Sequence, residues 1–309
     1  MSLFVQQNGT LTDYSPASHE TGSSWSILSS IELSIKRKIE SVGKPLKDWD
    51  IKIYRGIPTG CNEAFIIDGA KREEILDKCR SAAERERTDA LIRPILRGRD
   101  IKRYSYTWGN LYLIATFPSR HYNINDYPAV KEYLLTFGKE RLEQTGKEYI
   151  VNGERIKARK KTSNKWFETQ DSISYWEDFL KQKIVWKRIG SILRFSYDEK
   201  GLFGLDSTCI MIGDDVQIIC TMLNSYMGQY LLKESPKTGT GDLIVSVQAL
   251  EPILLPKIID RVSLKKLLQH QMKHYNNDIQ IKINNIVYKA YGLDENEMTF
   301  VDSYTKRFR

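Results

Sequence analysis

The segment Tyr54-Arg55-Gly56-Ile57-Pro58-Thr59-Gly60-Cys61-Asn62-Glu63-Ala64-Phe65-Ile66-Ile67 connects two apolar stretches through a loop rich in glycine and polar residues. Ile51 and Ile53 precede the loop and residues 65–67 follow it, which predicts a strand on each side. Glycines allow a main chain to approach a phosphate closely, and a threonine or asparagine there can donate a hydrogen bond. A hairpin turn is an equally weighted alternative, since these residue types also dominate turns.

The rest of the chain alternates between predicted strands and helices. Apolar runs predict strands, which we place at Leu111–Phe117, Lys183–Ile189, Leu193–Tyr197 and Cys209–Ile212. Helical spacing of apolar residues predicts helices at Ser29–Val42, Lys71–Ala90, Val130–Gln144 and Val216–Leu232. From Ser263 to Tyr291 apolar residues recur every three or four positions, which predicts a long amphipathic helix or a helix pair ending at Gly292. Packing against its own domain is favoured for this segment over pairing with a partner helix.

These elements predict an α+β protein. We expect a mixed β-sheet domain at 25–256, followed by a helical C-terminal segment at 257–309, with a boundary marked by Pro252 and Pro256. The composition, 41% hydrophobic and 28% charged over 309 residues, is typical of a soluble globular protein. No run of 18 apolar residues and no signal peptide is present, so we expect a cytoplasmic protein without a membrane partner. The four cysteines lack CxxC spacing, which favours reduced structural thiols.

The charge distribution favours an anionic partner. The net charge of +8 permits a polyanion without requiring one. The segment Ala158-Arg159-Lys160-Lys161-Thr162-Ser163-Asn164-Lys165-Trp166 has four cations within seven residues, followed by the aromatic residues Trp166 and Phe167. Phosphates attract such cations and bases stack on flat rings, although a solvated basic loop is the ordinary alternative. Further cationic or polar segments occur at 97–103, at 187–188 and at 237–241.

Together these segments predict a DNA-binding surface. The cations would hold phosphates, while amides and hydroxyls near them are candidates for contacts to base edges in the major groove. The candidate DNA-binding residues are Arg97, Arg99, Lys102, Arg159, Lys160, Lys161, Asn164, Lys165, Trp166, Gln170, Lys187, Arg188, Lys237, Thr238 and Thr240. The candidates for close backbone approach are Gly56, Thr59, Gly60 and Asn62.

Motifs for catalysis are missing from the sequence. No nucleophile elbow, Walker loop, GxGxxG or HExxH occurs. Two D-x-K tripeptides, Asp50-Ile51-Lys52 and Asp100-Ile101-Lys102, are too common a pattern to indicate a nuclease, and residues 125–128 hold the letters of an adenine-methylation loop in the wrong order. His270 and His274 are one helical turn apart but lack a third ligand nearby. We therefore expect no catalytic residue, metal or cofactor here, and no methylation or cleavage by this chain alone.

The ordered set of segments resembles the TaqI-like C-terminal specificity domain, the target recognition domain of type IIG restriction–modification enzymes. The resemblance spans roughly residues 25–300. The matching stretches are residues 54–67, Ile92-Arg93-Pro94-Ile95-Leu96-Arg97-Gly98-Arg99-Asp100-Ile101-Lys102-Arg103-Tyr104, Lys165-Trp166-Phe167-Glu168, Lys183-Ile184-Val185-Trp186, Leu223-Asn224-Ser225, Gly241, Leu255-Pro256 and Ile286-Val287-Tyr288-Lys289-Ala290-Tyr291-Gly292-Leu293.

This resemblance implies a module that binds duplex DNA at a specific sequence and positions the target adenine for a methyltransferase and endonuclease core. It further implies that the reactive residues lie N-terminal to this chain, and that the parent enzyme uses S-adenosylmethionine and Mg²⁺. Three alternatives stay open at this point. The chain could be a stand-alone specificity subunit of the type I kind, a nuclease with an unrecognised active site, or an interaction module that does not bind nucleic acid.

Overall fold

The computed structural model describes residues 14–16, 27–258 and 260–305. By contacts the chain divides into two compact units. The first unit comprises residues 1–51, 190–193 and 217–309, and the second comprises residues 52–189 and 194–216. Residues 217–256 thus group with the C-terminal helices. The predicted division between 25–256 and 257–309 concerns function as well as packing, and it stays a prediction.

The second unit contains two four-stranded sheets. Its strands are β4 (Ile51–Arg55), β5 (Ile66–Asp68), β6 (Ile92–Leu96), β7 (Leu111–Ile114), β8 (Glu148–Val151), β9 (Glu154–Lys157), β10 (Lys183–Lys187), β12 (Phe195–Asp198), β13 (Phe203–Gly204) and β14 (Thr208–Gly213). The first residue of β4 and the second residue of β11 (Ile189–Gly190) belong to the first unit. One sheet has the order β12-β10-β14-β4 and the other has the order β13-β6-β7-β5. The second sheet is mixed, because β13 runs parallel to β6 while β7 is antiparallel to both neighbours. The α+β class predicted from the sequence is confirmed.

The strands on either side of the glycine loop at 56–60 enter different sheets. Strand β4 lies in the sheet of β14, whereas β5 pairs with β7 in the other sheet. Both predicted strands are confirmed, but the hairpin interpretation of the loop is wrong. The loop passes from one sheet to the other, so its backbone groups are available to neighbouring loops and not to a hairpin ladder.

Helices of the second unit are shorter than predicted. They are α2 (Asn62–Phe65), α3 (Gly69–Asp77), α4 (Ala82–Leu91), α5 (Pro128–Leu135) and α6 (Lys139–Leu142). The predicted helix 71–90 breaks because Ser81 caps a new helix, its hydroxyl accepting from the Glu84 amide at 3.1 Å. The predicted helix 130–144 breaks at Gly138, whose φ of +83° is not helical.

The core of the second unit is rich in phenylalanine. The ring of Phe203 stacks on Phe179 at 4.9 Å and lies 6.1 Å from Phe117. All three side chains are buried, along with the apolar residues of β6, β7 and β10. Each such ring contributes roughly 1.5–3 kcal/mol through burial. This packing fixes the strands whose ends carry the loops discussed below.

A buried ion pair crosses two strands of the first of these sheets. Lys183 on β10 and Asp198 on β12 are both fully buried and form a salt bridge. The carboxylate also accepts hydrogen bonds from the Tyr106 hydroxyl at 2.8 Å and from the Leu202 and Lys200 amides at 2.9 and 3.0 Å. Desolvation lowers the pKa of Lys183. Loss of either partner would be strongly unfavourable, because it would leave a single buried charge at this site.

The first unit is largely helical. Its helices are α1 (Ser30–Val42), α7 (Val216–Asn224), α8 (Tyr226–Leu231), α9 (Val247–Leu250), α10 (Arg261–Lys273), α11 (Asn277–Tyr291) and α12 (Glu295–Thr305). Short paired strands complete it: β1 (Tyr14–Pro16) with β2 (Ile27–Ser29), β3 (Gly43–Pro45) with β16 (Leu254–Pro256), and β15 at Leu243–Ile244. Among the described residues, no helix has both the length and the apolar composition to cross a membrane.

Local sequence signals explain several helix ends in this unit. Ser29 and Glu32 form a reciprocal capping box at the start of α1. Ser225 separates α7 from α8 by capping the latter, with the Gly228 amide donating to its hydroxyl at 3.1 Å. Residues 263–291 form the helix pair α10 and α11, which contact one another, and α11 ends at Gly292 with φ of +68° as predicted.

Candidate nucleic-acid interface

The turn at 204–208 connects three of the segments singled out in the sequence. The Gly56 amide donates to the Thr208 carbonyl at 2.9 Å. The Gly98 amide donates to the Ser207 hydroxyl at 3.0 Å, and the Arg188 amide donates to the Ser207 carbonyl at 3.0 Å. Segments that lie far apart in sequence therefore meet at one turn of the second unit. The polar residues of this turn are the only sequence signal for it, and they do not predict which segments contact it.

The glycine loop at 56–60 approaches the protein itself. A Cβ added at Gly56 would lie 2.0 Å from the Leu205 carbonyl oxygen, so the close approach predicted for Gly56 is to the turn 204–208 and not to a phosphate. Thr59 is 1% exposed, and its hydroxyl donates to the Asn62 side chain at 2.7 Å. Gly60, with φ of +77°, and Asn62 are exposed. The structure thus assigns Gly56 and Thr59 to the scaffold and leaves Gly60 and Asn62 at the surface.

Arg159 holds the basic segment together from inside. Its side chain is buried, with 5% exposure, and its guanidinium donates to four backbone carbonyls. The acceptors, at 2.7–2.8 Å, are the carbonyls of Thr59, Leu142, Trp166 and Glu168. Burial lowers the pKa of Arg159 to about 10, so the group stays charged at neutral pH. These donors stabilise the loop, and the predicted phosphate contact of Arg159 would have to compete with them.

Gln144 completes this internal scaffold and was not anticipated from the sequence. It is 2% exposed, and its amide nitrogen lies 3.0–3.3 Å from the carbonyls of Lys165, Glu168 and Thr169. Its amide oxygen accepts from the Thr162 hydroxyl at 2.8 Å. A lone glutamine at the end of a predicted helix gives no sequence signal for such a role. Together with Arg159 it fixes the course of residues 158–170, which we call the basic loop.

The lysines of the basic loop point away from this scaffold. Lys160, Lys161 and Lys165 are all exposed and form no ion pair with any residue of the described part of the chain. Lys165 lies 5.6 Å above the ring of Phe167. Trp166 is half-buried and meets Phe167 edge to face at 5.6 Å. The loop therefore presents three uncompensated cations on a rigid support, which is the arrangement that phosphate contacts require.

The two candidate base-reading amides are engaged within the basic loop. The Asn164 side chain donates to the Gln170 carbonyl at 2.9 Å. The Gln170 side chain donates to the Gln144 amide oxygen at 3.2 Å and to the Lys160 carbonyl at 3.3 Å. Both side chains are half-buried. These contacts favour a role in holding the loop, and reading a base edge would require them to be exchanged.

The cationic segment at 97–103 also contains one cation held within the protein and others that are exposed. Arg97 forms a two-pronged ion pair with the nearly buried Asp100, its Nε and Nη2 donating at 3.0 and 2.8 Å. The pKa of Arg97 is raised by this hydrogen bonding, and its charge is compensated. Arg99 and Lys102 are exposed and have no ion-pair partner among the described residues. Arg97 thus shapes the turn, and Arg99 and Lys102 stay available for an anion.

Lys187 and Arg188 lie beside this segment. A Cβ added at Gly98 would come 2.9 Å from the Lys187 Cγ, so the lysine stem packs along the glycine while its head is exposed. Arg188 is half-buried, and its Nε has no hydrogen-bond partner among the residues that the structure describes. The structure therefore brings the predicted segments 97–102 and 187–188 together, a proximity that the sequence did not predict.

The loop at 237–241 belongs to the first unit. The Thr238 hydroxyl lies 2.8 Å from that of Thr240 and accepts from the Asp242 amide at 3.1 Å, which makes a tight turn with Gly241 at φ of +88°. Lys237 and Thr240 are exposed. Thr238 is thus used within its own turn, and the other two side chains remain candidates for contact with a ligand.

Two chemical features of the described residues bear on reactivity: potential metal-binding groups and cysteine thiols. Within the ranges that the structure describes, no group of three or more His, Cys, Asp or Glu side chains is placed to hold a metal ion. Among the cysteines, burial raises the pKa of Cys209 to about 11 and raises that of Cys220 as well. Such thiols are poor nucleophiles at neutral pH.

Comparisons with known proteins give one family match and two similar solved structures. The sequence profile of the TaqI-like C-terminal specificity domain matches residues 93–253. No curated protein sequence matches the chain. Among solved structures, the type IIL restriction–modification enzyme MmeI in complex with DNA is similar, with a TM-score of 0.53 and 9% identity over 86% of this chain and 36% of MmeI. The type IIG restriction endonuclease BpuSI has a TM-score of 0.46 and 12% identity over 85% of this chain and 33% of its own.

The chain thus spans about a third of the length of these two enzymes. The likeness to MmeI supports the fold. The profile match covers just over half of the 309 residues and includes the basic loop, the turn at 204–208 and the segment at 97–102. On this evidence the chain belongs to the TaqI-like C-terminal specificity domain family and is a DNA-recognition module.

Proposed function

We propose that this module binds duplex DNA at a specific sequence and positions a target adenine for methyltransferase and endonuclease domains that lie outside this chain. Family membership supports the recognition role, and the solved enzyme of similar fold is a restriction–modification enzyme in complex with DNA. The parent enzyme would use S-adenosylmethionine and Mg²⁺ in those other domains, and it would act in the cytoplasm. Double-stranded DNA and the catalytic domains are the proposed partners.

The proposal rests on one observation: the basic loop has buried side chains that fix its backbone and exposed lysines that no described acid compensates. Arg159 and Gln144 donate hydrogen bonds to backbone carbonyls in and around the loop. Lys160, Lys161 and Lys165 are exposed and have no ion-pair partner among the described residues. A solvated basic loop needs no buried arginine to fix its course. Rigid placement of cations lowers the entropy lost when phosphates are bound, which favours a loop that contacts DNA.

The test replaces two of these cations and measures DNA binding across a range of salt concentrations. Lys160→Ala with Lys161→Ala should weaken binding to all duplexes about equally, since phosphate contacts carry no base information. Each lost phosphate contact should reduce the slope of log affinity against log salt by roughly 0.9, so the double variant should lose about 1.8. The adjacent exposed lysines Lys265 and Lys266 of the first unit allow a matched double-alanine control.

The proposal fails if the Lys160/Lys161 double variant keeps the wild-type slope, or if the control pair loses as much. A second arm addresses the catalytic assignment. Incubation of this chain with S-adenosylmethionine, Mg²⁺ and mixed-sequence plasmid should leave the DNA unmodified. Reproducible methylation or cleavage that disappears on mutating a residue of this chain would instead establish a catalytic centre here.

A further inference from the structure

A second cationic feature of the second unit is a concave pocket that the basic loop does not line. Its volume is about 190 Å³, and it lies between helix α4, strand β6 and the turns at 118–120 and 122–127. Three arginines line it, and no acidic residue does. Three aromatic rings that bear a polar group form much of the rest. The residues on which the argument depends are Arg87, Arg93, Arg120, Tyr122, Tyr127 and Trp176.

Arg120 is held against an aromatic ring in a way that leaves its donors free. Its guanidinium lies 4.1 Å from the centre of the Trp176 ring. Stacking uses the flat face of a guanidinium, whereas the N–H donors lie in its plane and point outward. No residue of the described ranges accepts a hydrogen bond from this side chain or pairs with it. The donors are thus oriented in advance for an oxyanion.

The turn that carries Arg120 is fixed to the protein. The Ser119 amide donates to the Ser172 carbonyl at 3.2 Å, and its hydroxyl donates to the Ile173 carbonyl at 3.1 Å. These bonds join the turn to the segment that leads into Trp176. A stacked pair on two segments tied together in this way forms a wall that needs little reordering when a ligand binds.

The remaining walls supply flat rings and a second uncompensated charge. Tyr122 and Tyr127 meet edge to face at 5.7 Å, and burial raises the pKa of Tyr127, which stays neutral. Arg93 is half-buried on β6 and has no ion-pair partner among the described residues. Arg87 is partly engaged, since it donates to the Asp126 carbonyl at 3.2 Å. Two free guanidinium groups and the rings therefore share one cavity.

We propose that this pocket binds a single nucleotide, with its phosphate at Arg93 and Arg120 and its base against the aromatic wall. A phosphate suits two guanidinium forks, and a nucleotide base stacks favourably on aromatic rings. The cavity of about 190 Å³ is smaller than typical ligand pockets of roughly 300–1,000 Å³, so it can enclose only part of one nucleotide and excludes a dinucleotide cofactor. The nucleotide is either free or an unpaired nucleotide of a bound duplex.

The experiment uses 2-aminopurine deoxyriboside monophosphate as a fluorescent probe for the free source. A duplex that carries 2-aminopurine opposite an abasic site serves as the probe for the DNA source, because an unpaired base is the least costly to extrude. Arg93→Gln with Arg120→Gln should reduce the affinity for the binding probe at least tenfold. Arg80→Gln is the matched control, since Arg80 is an exposed arginine of the same unit outside the pocket.

Circular dichroism checks that each variant is folded. Trp176→Phe tests the position of the base separately, because loss of the indole should alter the fluorescence quenching of the bound probe. Saturable binding of either probe that requires the two arginines supports the proposal and identifies the source. It is overturned if neither probe changes fluorescence on saturation, or if the glutamine variants bind like the control. The lysine test above concerns other residues and the salt slope, so either proposal can fail while the other holds.

Discussion

Arg159→Ala should destabilise the second unit, although the residue lies in a run of surface cations. The wild-type guanidinium satisfies four backbone carbonyls at 2.7–2.8 Å in a site where the side chain is 5% exposed. Alanine leaves the carbonyls of Thr59, Leu142 and Trp166 without this donor, whereas the Glu168 carbonyl still accepts from the Gln144 amide at 3.0 Å. The substitution also removes the contact with the Phe65 ring, over which the guanidinium lies at 5.0 Å. The neighbouring Lys160 makes no comparable side-chain contact and supplies the reference substitution.

The magnitude follows from the unsatisfied acceptors. A buried polar group left without a partner costs about 1–3 kcal/mol, so three of them set an upper range well above the usual single-mutant effect. Part of this free-energy cost is offset, because water can enter from the exposed side of the loop and because the variant no longer buries a charge. We therefore expect a loss on the order of 3–4 kcal/mol in the free energy of unfolding. Lys160→Ala should stay within about 0.5 kcal/mol of wild type, as surface substitutions do.

The assay combines urea unfolding, followed by tryptophan fluorescence and far-ultraviolet circular dichroism, with hydrogen exchange. Exchange should accelerate in Arg159→Ala at the amides of Gly146 and Thr169, which bond to the carbonyls of Arg159 and Thr116. The same amides should be unaffected in Lys160→Ala. Equal urea midpoints for the two variants, with unchanged exchange at these amides, would refute the structural role given to Arg159.

Three further outcomes are expected. Asp198→Asn should destabilise the protein by about 3–5 kcal/mol in urea unfolding, because it leaves the Lys183 ammonium buried without its counter-charge; an unchanged midpoint would contradict the burial of this pair. Thiol labelling of the native protein at pH 8 should modify only the two half-buried cysteines, and Cys209 and Cys220 should react only after unfolding, since burial raises the pKa of both. Selection from random duplexes should give the same motif for Asn164→Ala as for wild type, with weaker binding overall, because the amide holds the loop; a change confined to one base pair would instead make Asn164 a base-reading residue.

Local sequence signals determined where elements begin and end when a side chain acts on its own backbone. The capping pair Ser29 and Glu32 lies three residues apart, so the start of α1 is readable without any knowledge of the fold. Gly292 likewise ends α11 by a local effect, because glycine tolerates a positive φ wherever it stands in the chain. The ordered set of segments likewise indicated the family before any packing was known.

Tertiary structure decided which cations are available to a partner. Arg159 and Lys160 are neighbours of like charge in the sequence, yet one is clamped by carbonyls from residues 59, 142, 166 and 168 and the other is exposed. The same distinction separates Arg97, which pairs with Asp100, from Arg99. It also decided that β4 and β5 enter different sheets. The physical reason is that burial and hydrogen-bond partners depend on residues distant in the chain, whereas charge and local propensity belong to each residue wherever the fold places it.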